Sequence, residues 1–300
     1  MKLISCIDDA FSPHYGALVE SVRRANPGVD IHYFLLHAGL RAENQRKLLD
    51  YARRNGLRME LLDANDHRHQ LGRLFVSQHV SLATYYRLVI PAVLPQSESK
   101  VLYLDVDLIV RAPLSDLYDT DISEYGAAAV HEPHGIFYFE ALSLPSQFHY
   151  FNAGVLLINL DYWRTRRIAE IALDFARSRP ELLRCWDQCA LNHALSGQVL
   201  FLGYEWNYQP GWRGSNESKM SGYCDRSHMN PKIVHFAGPF KPWHFMSDQE
   251  YKDEYWAHLS NTPWSDYRPP DRTITNRLKK LVPIEWRNYL RPIRSRVFGR

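Results

Sequence analysis

Val101-Leu102-Tyr103-Leu104-Asp105-Val106-Asp107 is an apolar run that ends in two carboxylates one residue apart. Four consecutive apolar residues, bounded by Lys100 and Asp105, read as a strand buried on both faces. In an open α/β sheet, ligands bind outside the carboxyl ends of the strands. Alternation along an extended backbone turns residues i and i+2 to one side, so Asp105 and Asp107 face the same space. Two like charges aimed together repel, and a hard divalent cation relieves them. Such an ion can bridge a diphosphate and offset charge on a departing nucleoside diphosphate. One Asp capping a turn beside a second, solvated Asp is the plainer reading of the same letters.

The segments before this strand alternate in type. Leu3–Ile7 reads as a strand ending in Asp8-Asp9, and residues 13–26 as a helix closed by Asn26-Pro27-Gly28. Residues 31–36 and 59–62 read as strands flanking a helix over 42–55. The β-α-β-α-β order predicts a mainly parallel sheet with flanking helices. Residues 81–93 then look helical. Beyond the carboxylates, 127–130, 155–160, 199–202 and 232–236 are strand candidates. Helices are expected over 162–178, capped by Asp161, and over 186–195. Residues 204–231 lose periodicity, as functional loops and disordered segments both do. The catalytic body is expected to span 1–265, with 266–300 a Pro-rich and then basic extension.

Of the adjacent acids Asp8 and Asp9, only one can face a ligand, because neighbours on a strand point to opposite faces. That carboxylate suits a base N–H or ribose hydroxyls; a turn acid ahead of Phe11-Ser12-Pro13 is the alternative. A phosphatase of the haloacid-dehalogenase type also uses D-x-D after an apolar strand. Its pattern lies near the N-terminus and continues with Gly, whereas Leu108-Ile109-Val110 follow here.

The net charge is +3, but nine Lys/Arg against two acids in residues 271–300 carry +7, leaving about −4 elsewhere. This asymmetry argues for a tail that meets an anionic surface and against a body built to wrap nucleic acid. Cys6, Cys185, Cys189 and Cys224 form no CxxC pair and read as reduced thiols of a reducing compartment. No leader sequence and no apolar run of about twenty residues is present, so a cytoplasmic protein is expected.

Six segments in order resemble glycosyltransferase family 8, the retaining GT-A enzymes that include glycogenin and bacterial lipopolysaccharide galactosyl- and glucosyltransferases. They are Ile7-Asp8-Asp9; Ser81-Leu82-Ala83-Thr84-Tyr85-Tyr86-Arg87-Leu88; the strand ending in Asp105-Val106-Asp107; Phe151-Asn152-Ala153-Gly154 through Leu160; Asp187-Gln188; and His235 through Trp243. The resemblance implies a GT-A nucleotide-sugar-binding fold with a Rossmann-like mixed sheet. It implies Asp105, Asp107 and His235 as Mn²⁺ ligands, an O,O,N set that suits Mn²⁺ better than Mg²⁺. Gly238 and Lys241 match the diphosphate clamp, and Asp8 (beside Asp9) the uracil or ribose contact. Arg87, Asn152 with Ala153, Asp187 and Gln188 match positions that hold the donor sugar, with Asp105 at the same centre. Two departures stand out. Ala10-Phe11 replaces a common Asn-Tyr, so Phe11 keeps the stacking ring without its hydroxyl, and His131 stands where an acid is common.

The implied reaction moves galactose or glucose from a UDP-sugar to a saccharide or glycolipid of a lipopolysaccharide or lipooligosaccharide core, retaining configuration. A double displacement needs a nucleophile beneath C1. The candidate there, Gln188, carries a poorly nucleophilic amide, which favours a front-side route. Basic residues 279–300 interleaved with Trp286, Tyr289 and Phe298 suit the cytoplasmic face of an inner membrane. A glycogenin-like self-glucosylating initiator and a silent nucleotide-sugar-binding protein are the rival readings.

Overall fold

The computed structural model describes residues 1–67, 71, 74, 82–132, 142, 144, 149–210, 230–239 and 241–282. Strands β1 (Lys2–Ile7), β2 (His32–His37), β3 (Arg58–Asp63), β4 (Lys100–Leu104), β6 (Ala127–His131), β7 (Phe151–Asn159) and β8 (Val199–Leu202) form one sheet. Its order is β3-β2-β1-β4-β7-β6-β8. The pairs β1–β2, β2–β3, β1–β4 and β6–β8 are parallel, while β7 runs antiparallel to both neighbours. Two short strands, β5 (Leu108–Val110) and β9 (Ile233–His235), pair antiparallel outside this sheet.

Apolar side chains fill both faces. One face holds Leu3, Ile7, Leu102 and Leu104 against α1 (Ser12–Ala25), α2 (Ala42–Arg54), α6 (Lys252–Leu259) and the β5–β9 pair. The other holds Ile4, Val101 and Tyr103 against the 3-10 segment Leu82–Val89, α3 (Leu160–Arg166), α4 (Ile168–Ser178) and α5 (Trp186–Ala194). Residues 101 to 104 are buried on both sides, as their unbroken apolar character requires. The expected α/β architecture is therefore present: a mixed, mostly parallel sheet between helices.

Local chemistry explains most element ends. Pro13 starts α1 without forfeiting a bonded N–H. Asn26 ends it, giving its amide to the Val22 carbonyl and accepting the Leu114 N–H. The expected helix over 162–178 is two helices, because Arg167 adopts a left-handed φ of 55° between α3 and α4. Asn159, not Asp161, caps α3, accepting the Tyr162 N–H at 2.9 Å. The expected helix over 81–93 is a 3-10 segment that becomes one α-helical turn, Ile90–Val93. The strand expected at 155–160 begins earlier, at Phe151.

Where β7 meets β6, the register jumps. Ala129 lies opposite Leu156, but Val130 lies opposite Asn152, leaving residues 153–155 of β7 without partners on β6. Pairing with β4 continues undisturbed through Val155, and Gly154 accepts the Asp105 N–H at 2.8 Å. Ala153 packs on one face of the sheet and Val155 on the other, so the side-chain alternation slips by one across Gly154. Cys6, Cys185 and Cys189 are free thiols, and Cys224 lies outside the described residues.

The chain returns from Trp264 along the body. Asp271 accepts the N–H groups of Phe245 and Met246, and Lys280 reaches the Phe245 carbonyl at 2.5 Å. Thr273 caps α7 (Ile274–Lys280). Ile274, Leu278 and Leu281 are 78%, 61% and 80% exposed, so an apolar stripe at helical spacing faces outward. Among the described residues, no helix is long and apolar enough to cross a membrane.

Candidate metal and donor site

The site lies at the carboxyl end of β4. The β5–β9 pairing sets Leu108 opposite His235, and Phe236 donates its N–H to the Asp107 carbonyl at 2.9 Å. A histidine distant in sequence thereby meets the carboxylate pair. One ligand atom from each of Asp105, Asp107 and His235 lies within 4.8 Å of the others. His235 Nε2 is 3.3 Å from Asp107 Oδ1 and 4.0 Å from Asp105 Oδ2. Two carboxylates after β4 and an imidazole from β9, converging in this way, fit a divalent ion of borderline softness. Gly154 forms the floor. A Cβ there would sit 2.4 Å from His235 Cε1 and 2.9 Å from Asp105 Oδ2, so only glycine leaves both groups in place.

Lys241 forms an ion pair with Asp107 and donates to the Phe236 carbonyl at 3.0 Å. Burial alone would raise the Asp107 carboxyl, but Lys241 and His235 outweigh it and hold it well below the usual carboxylate range. Asp107 is thus an anion throughout the neutral range. Gly238, at φ 86°, has nothing within 4 Å of a Cβ position, leaving the backbone approachable beside Lys241.

Arg87 is the keystone behind Asp105. Its guanidinium donates to Asp105 Oδ1 at 2.9 Å and to the Ala153 carbonyl at 2.5 Å, with its carbon 4.5 Å above the Tyr103 ring. Tyr103 adds a second donor to Asp105 Oδ1 at 2.6 Å. Arg87 Nε lies 2.7 Å from Asp187 Oδ2, yet its N–H points to the Thr84 carbonyl. That buried carboxylate oxygen is therefore paired by charge without an aligned hydrogen bond. Burial pushes the Asp187 carboxyl up to about 6, against the pull of Arg87 and a Thr84 hydroxyl bond.

Gln188 accepts the Ala153 N–H at 2.9 Å, and one turn later Asn192 brackets the backbone of Phe151 through both its amide atoms. The start of α5 is thus tied to the surplus residues of β7. Trp186 opens that helix at a left-handed φ of 45°, a strained conformation for a bulky side chain.

Asp9 turns away from this centre, bound by the Arg41 backbone and guanidinium and by Asn44. Asp8, accepting the Ala10 N–H, is left as the acid of that pair for a ligand. Phe11 meets Trp243 and His14 edge-on at 6.0 and 5.7 Å, with those two rings stacked at 3.6 Å. His131 bonds Tyr204, while its neighbour Glu132 is buried and accepts the amides of Asn152 and Gln209. Asn152 thus serves the protein interior through both of its amide atoms. Glu132, Asn207 and Gln209 were not singled out in the sequence, and Gly154 was quoted without a role; their signal lies in contacts, not spacing. Ser81 and Phe240, quoted in the motifs, lie outside the described residues.

A cavity of about 970 Å³ lined by Lys100, Asp121, Asn159 and Asp161 opens at the opposite end of β4 and β7, away from these groups.

The geometry has counterparts. The solved galactosyltransferase LgtC, in complex with donor and acceptor sugar analogs, superposes with a TM-score of 0.77 at 26% identity, covering 96% of this chain and 99% of that one. General stress protein A of Bacillus subtilis (strain 168) is 29% identical over 280 residues, 90% of this chain and 96% of that protein. Lipopolysaccharide 1,2-glucosyltransferase of Escherichia coli (strain K12) is 27% identical over 285 residues, 91% of this chain and 82% of that protein. Residues 2–247, which contain every group described at this centre, match the model of glycosyl transferase family 8, and the chain belongs to that family.

Proposed function

We propose that this protein transfers galactose or glucose from a UDP-sugar to a saccharide acceptor with retained configuration, using Mn²⁺ held by Asp105, Asp107 and His235. The observation that carries the reading is the convergence of those three donors within 4.8 Å beside Lys241. The bound ion would supply Lewis-acid stabilisation of a departing UDP. Lys241 adds a cation where the diphosphate meets Asp107, and Gly238 lets the backbone approach it. Asp8 and Phe11 suit the ribose and the uracil face, with Asp9 anchoring the turn that carries them. Arg87 and Asp187 hold Asp105 and the start of α5 in place for the sugar. Asn152 braces Gly154 through its side-chain amide, and Ala153 binds Arg87 and Gln188 through its backbone. Gln188, its amide oxygen fixed by Ala153, positions groups beneath the sugar and does not act as a nucleophile. The leaving phosphate then takes the acceptor proton on the same face. Turnover of UDP-galactose and UDP-glucose is expected to vanish on chelation and return with Mn²⁺. Unchanged hydrolysis and transfer in excess chelator would refute the metal role.

The acceptor proposed is a lipopolysaccharide or lipooligosaccharide core, in line with relatives described as a lipopolysaccharide 1,2-glucosyltransferase and a lipopolysaccharide 1,3-galactosyltransferase. Residues 266–300 are proposed as a tail that rests on the cytoplasmic face of a membrane. Support comes from the outward stripe of Ile274, Leu278 and Leu281 beside Arg277, Lys279 and Lys280. The residues from Pro283 onward, including the aromatic-basic run and Pro292, lie outside the described residues. In flotation with anionic vesicles, the full chain is expected to rise with the lipid and a chain ending at Asp271 to stay below. Equal flotation of both would remove the tail from membrane contact.

A further inference from the structure

An imidazole ligates a metal only through a nitrogen that carries no proton. At His235 the nitrogen facing the carboxylates is Nε2, so the ring proton belongs on Nδ1. Which nitrogen holds that proton follows from the hydrogen bonds around the ring. Here those bonds form a buried chain whose direction is fixed at its origin. The Gly154 N–H, which can only donate, reaches Asn152 Oδ1 at 2.8 Å. That makes the other amide atom Nδ2, which donates to Glu132 at 2.9 Å, beside a second donor to Glu132 from Gln209 Nε2 at 3.2 Å. Asn152 therefore has one amide orientation, with its oxygen toward Asn207.

Asn207 must meet that oxygen with its own amide nitrogen, at 2.8 Å. Its carbonyl oxygen is then the atom 2.9 Å from His235 Nδ1, and a carbonyl only accepts. His235 must donate from Nδ1, which leaves Nε2 with its lone pair toward Asp105 and Asp107. Every member of the chain is buried, with Asn207 1% exposed, so water does not substitute for any link.

We infer that Asn207 is a positioning residue for the metal, transmitting an orientation set by Gly154 and Glu132 to the imidazole of His235. This rests on the metal reading of Asp105, Asp107 and His235. It adds that the ligand is delivered in one tautomer before the ion arrives, and that the aperiodic segment after β8 supplies the group responsible. Outer partners of this kind, when mutated, weaken metal binding by roughly 10–100-fold.

The test is direct Mn²⁺ binding, followed by the electron paramagnetic resonance signal of free Mn²⁺ at one pH, with and without UDP. The parent is expected to bind and Asp107→Ala to lose binding; a parent that binds no Mn²⁺ in either condition overturns the metal reading and this inference with it. With the parent binding, Asn207→Leu, which cannot accept the Nδ1 proton, is expected to bind roughly 10–100-fold more weakly. Asn207→Asp keeps an acceptor for the Nδ1 proton but sets its second oxygen against Asn152 Oδ1 in place of a donor, so it is expected to bind more weakly than the parent and more tightly than Asn207→Leu. Parent-like binding by Asn207→Leu overturns the inference while leaving the metal reading intact. Binding by Asn207→Asp as weak as that of Asn207→Leu also overturns it, since a packing role would suffer equally from both. Should the leucine variant fail to fold, the aspartate arm decides alone: Mn²⁺ binding weakened by less than about tenfold supports the assignment, and a greater loss defeats it.

Discussion

Asp107→Ala is expected to lower transfer from a UDP-hexose by about 10³-fold at saturating Mn²⁺, roughly 4 kcal/mol of barrier, the scale of a Lewis-acid contribution. The residue is committed to this role by its surroundings. Its carboxyl is held ionised by Lys241 and His235 against the cost of burial. Among the described residues no neighbouring acid replaces it, because Asp105 is already shared among Arg87, Tyr103 and the metal position. Removing the carboxylate also strands the Lys241 ammonium, whose other described acceptor is the Phe236 carbonyl. The measurement is the initial rate of UDP release across a Mn²⁺ titration. Rates within tenfold of the parent at high Mn²⁺ would take Asp107 out of the ligand set.

Arg87→Met carries the largest expected effect on stability, a loss of about 3–5 kcal/mol, because it leaves the buried Asp187 carboxylate and the half-buried Asp105 without their shared cation. For a chain of this size the melting temperature should fall by roughly 5–8 °C. The loss has a pH signature. Burial already holds the Asp187 carboxyl at about 6, above its ordinary 3.8, with Arg87 opposing the rise. A folded pKa above the unfolded one means that stability is fully present below 3.8 and is lost as pH rises through about 6. Without Arg87 the carboxyl climbs further, so the gap in melting temperature between variant and parent should widen from pH 4 to pH 7. Calorimetric scans across that range check it; a gap that narrows as pH rises would show that Arg87 does not hold Asp187 ionised.

The fold was largely legible because β1 to β4 and their helices follow simple periods with Pro, Asn and Gly at the ends. The carboxylate pair was legible for the same reason, being adjacent along one strand. His235 was not, on spacing alone. It reaches Asp107 through the pairing of β5 with β9, and a three-residue strand immediately after Asp107 carries too little pattern to announce itself. The first four residues of β7 were missed because the alternation slips at Gly154, so no period of two runs through Phe151 to Leu156. Arg167 broke an expected helix without glycine or proline to mark the place. Asn207 sits in a stretch with no periodicity, and its role exists only through what it touches.

The stretch of β7 that leaves β6 gives the centre an unusual mutational character. Between Asn152 and Val155 the groups that hold Asp105, Arg87 and Gln188 are main-chain N–H and C=O, which every amino acid but proline possesses. Substitutions at Ala153 that keep its N–H and fit the space are therefore expected to carry a modest penalty. Losing or gaining one residue is another matter: it would slide the strand past β4 and turn each following side chain to the opposite layer. Apart from Asn152 and Gly154, the length of this segment constrains the centre more than the identity of its residues.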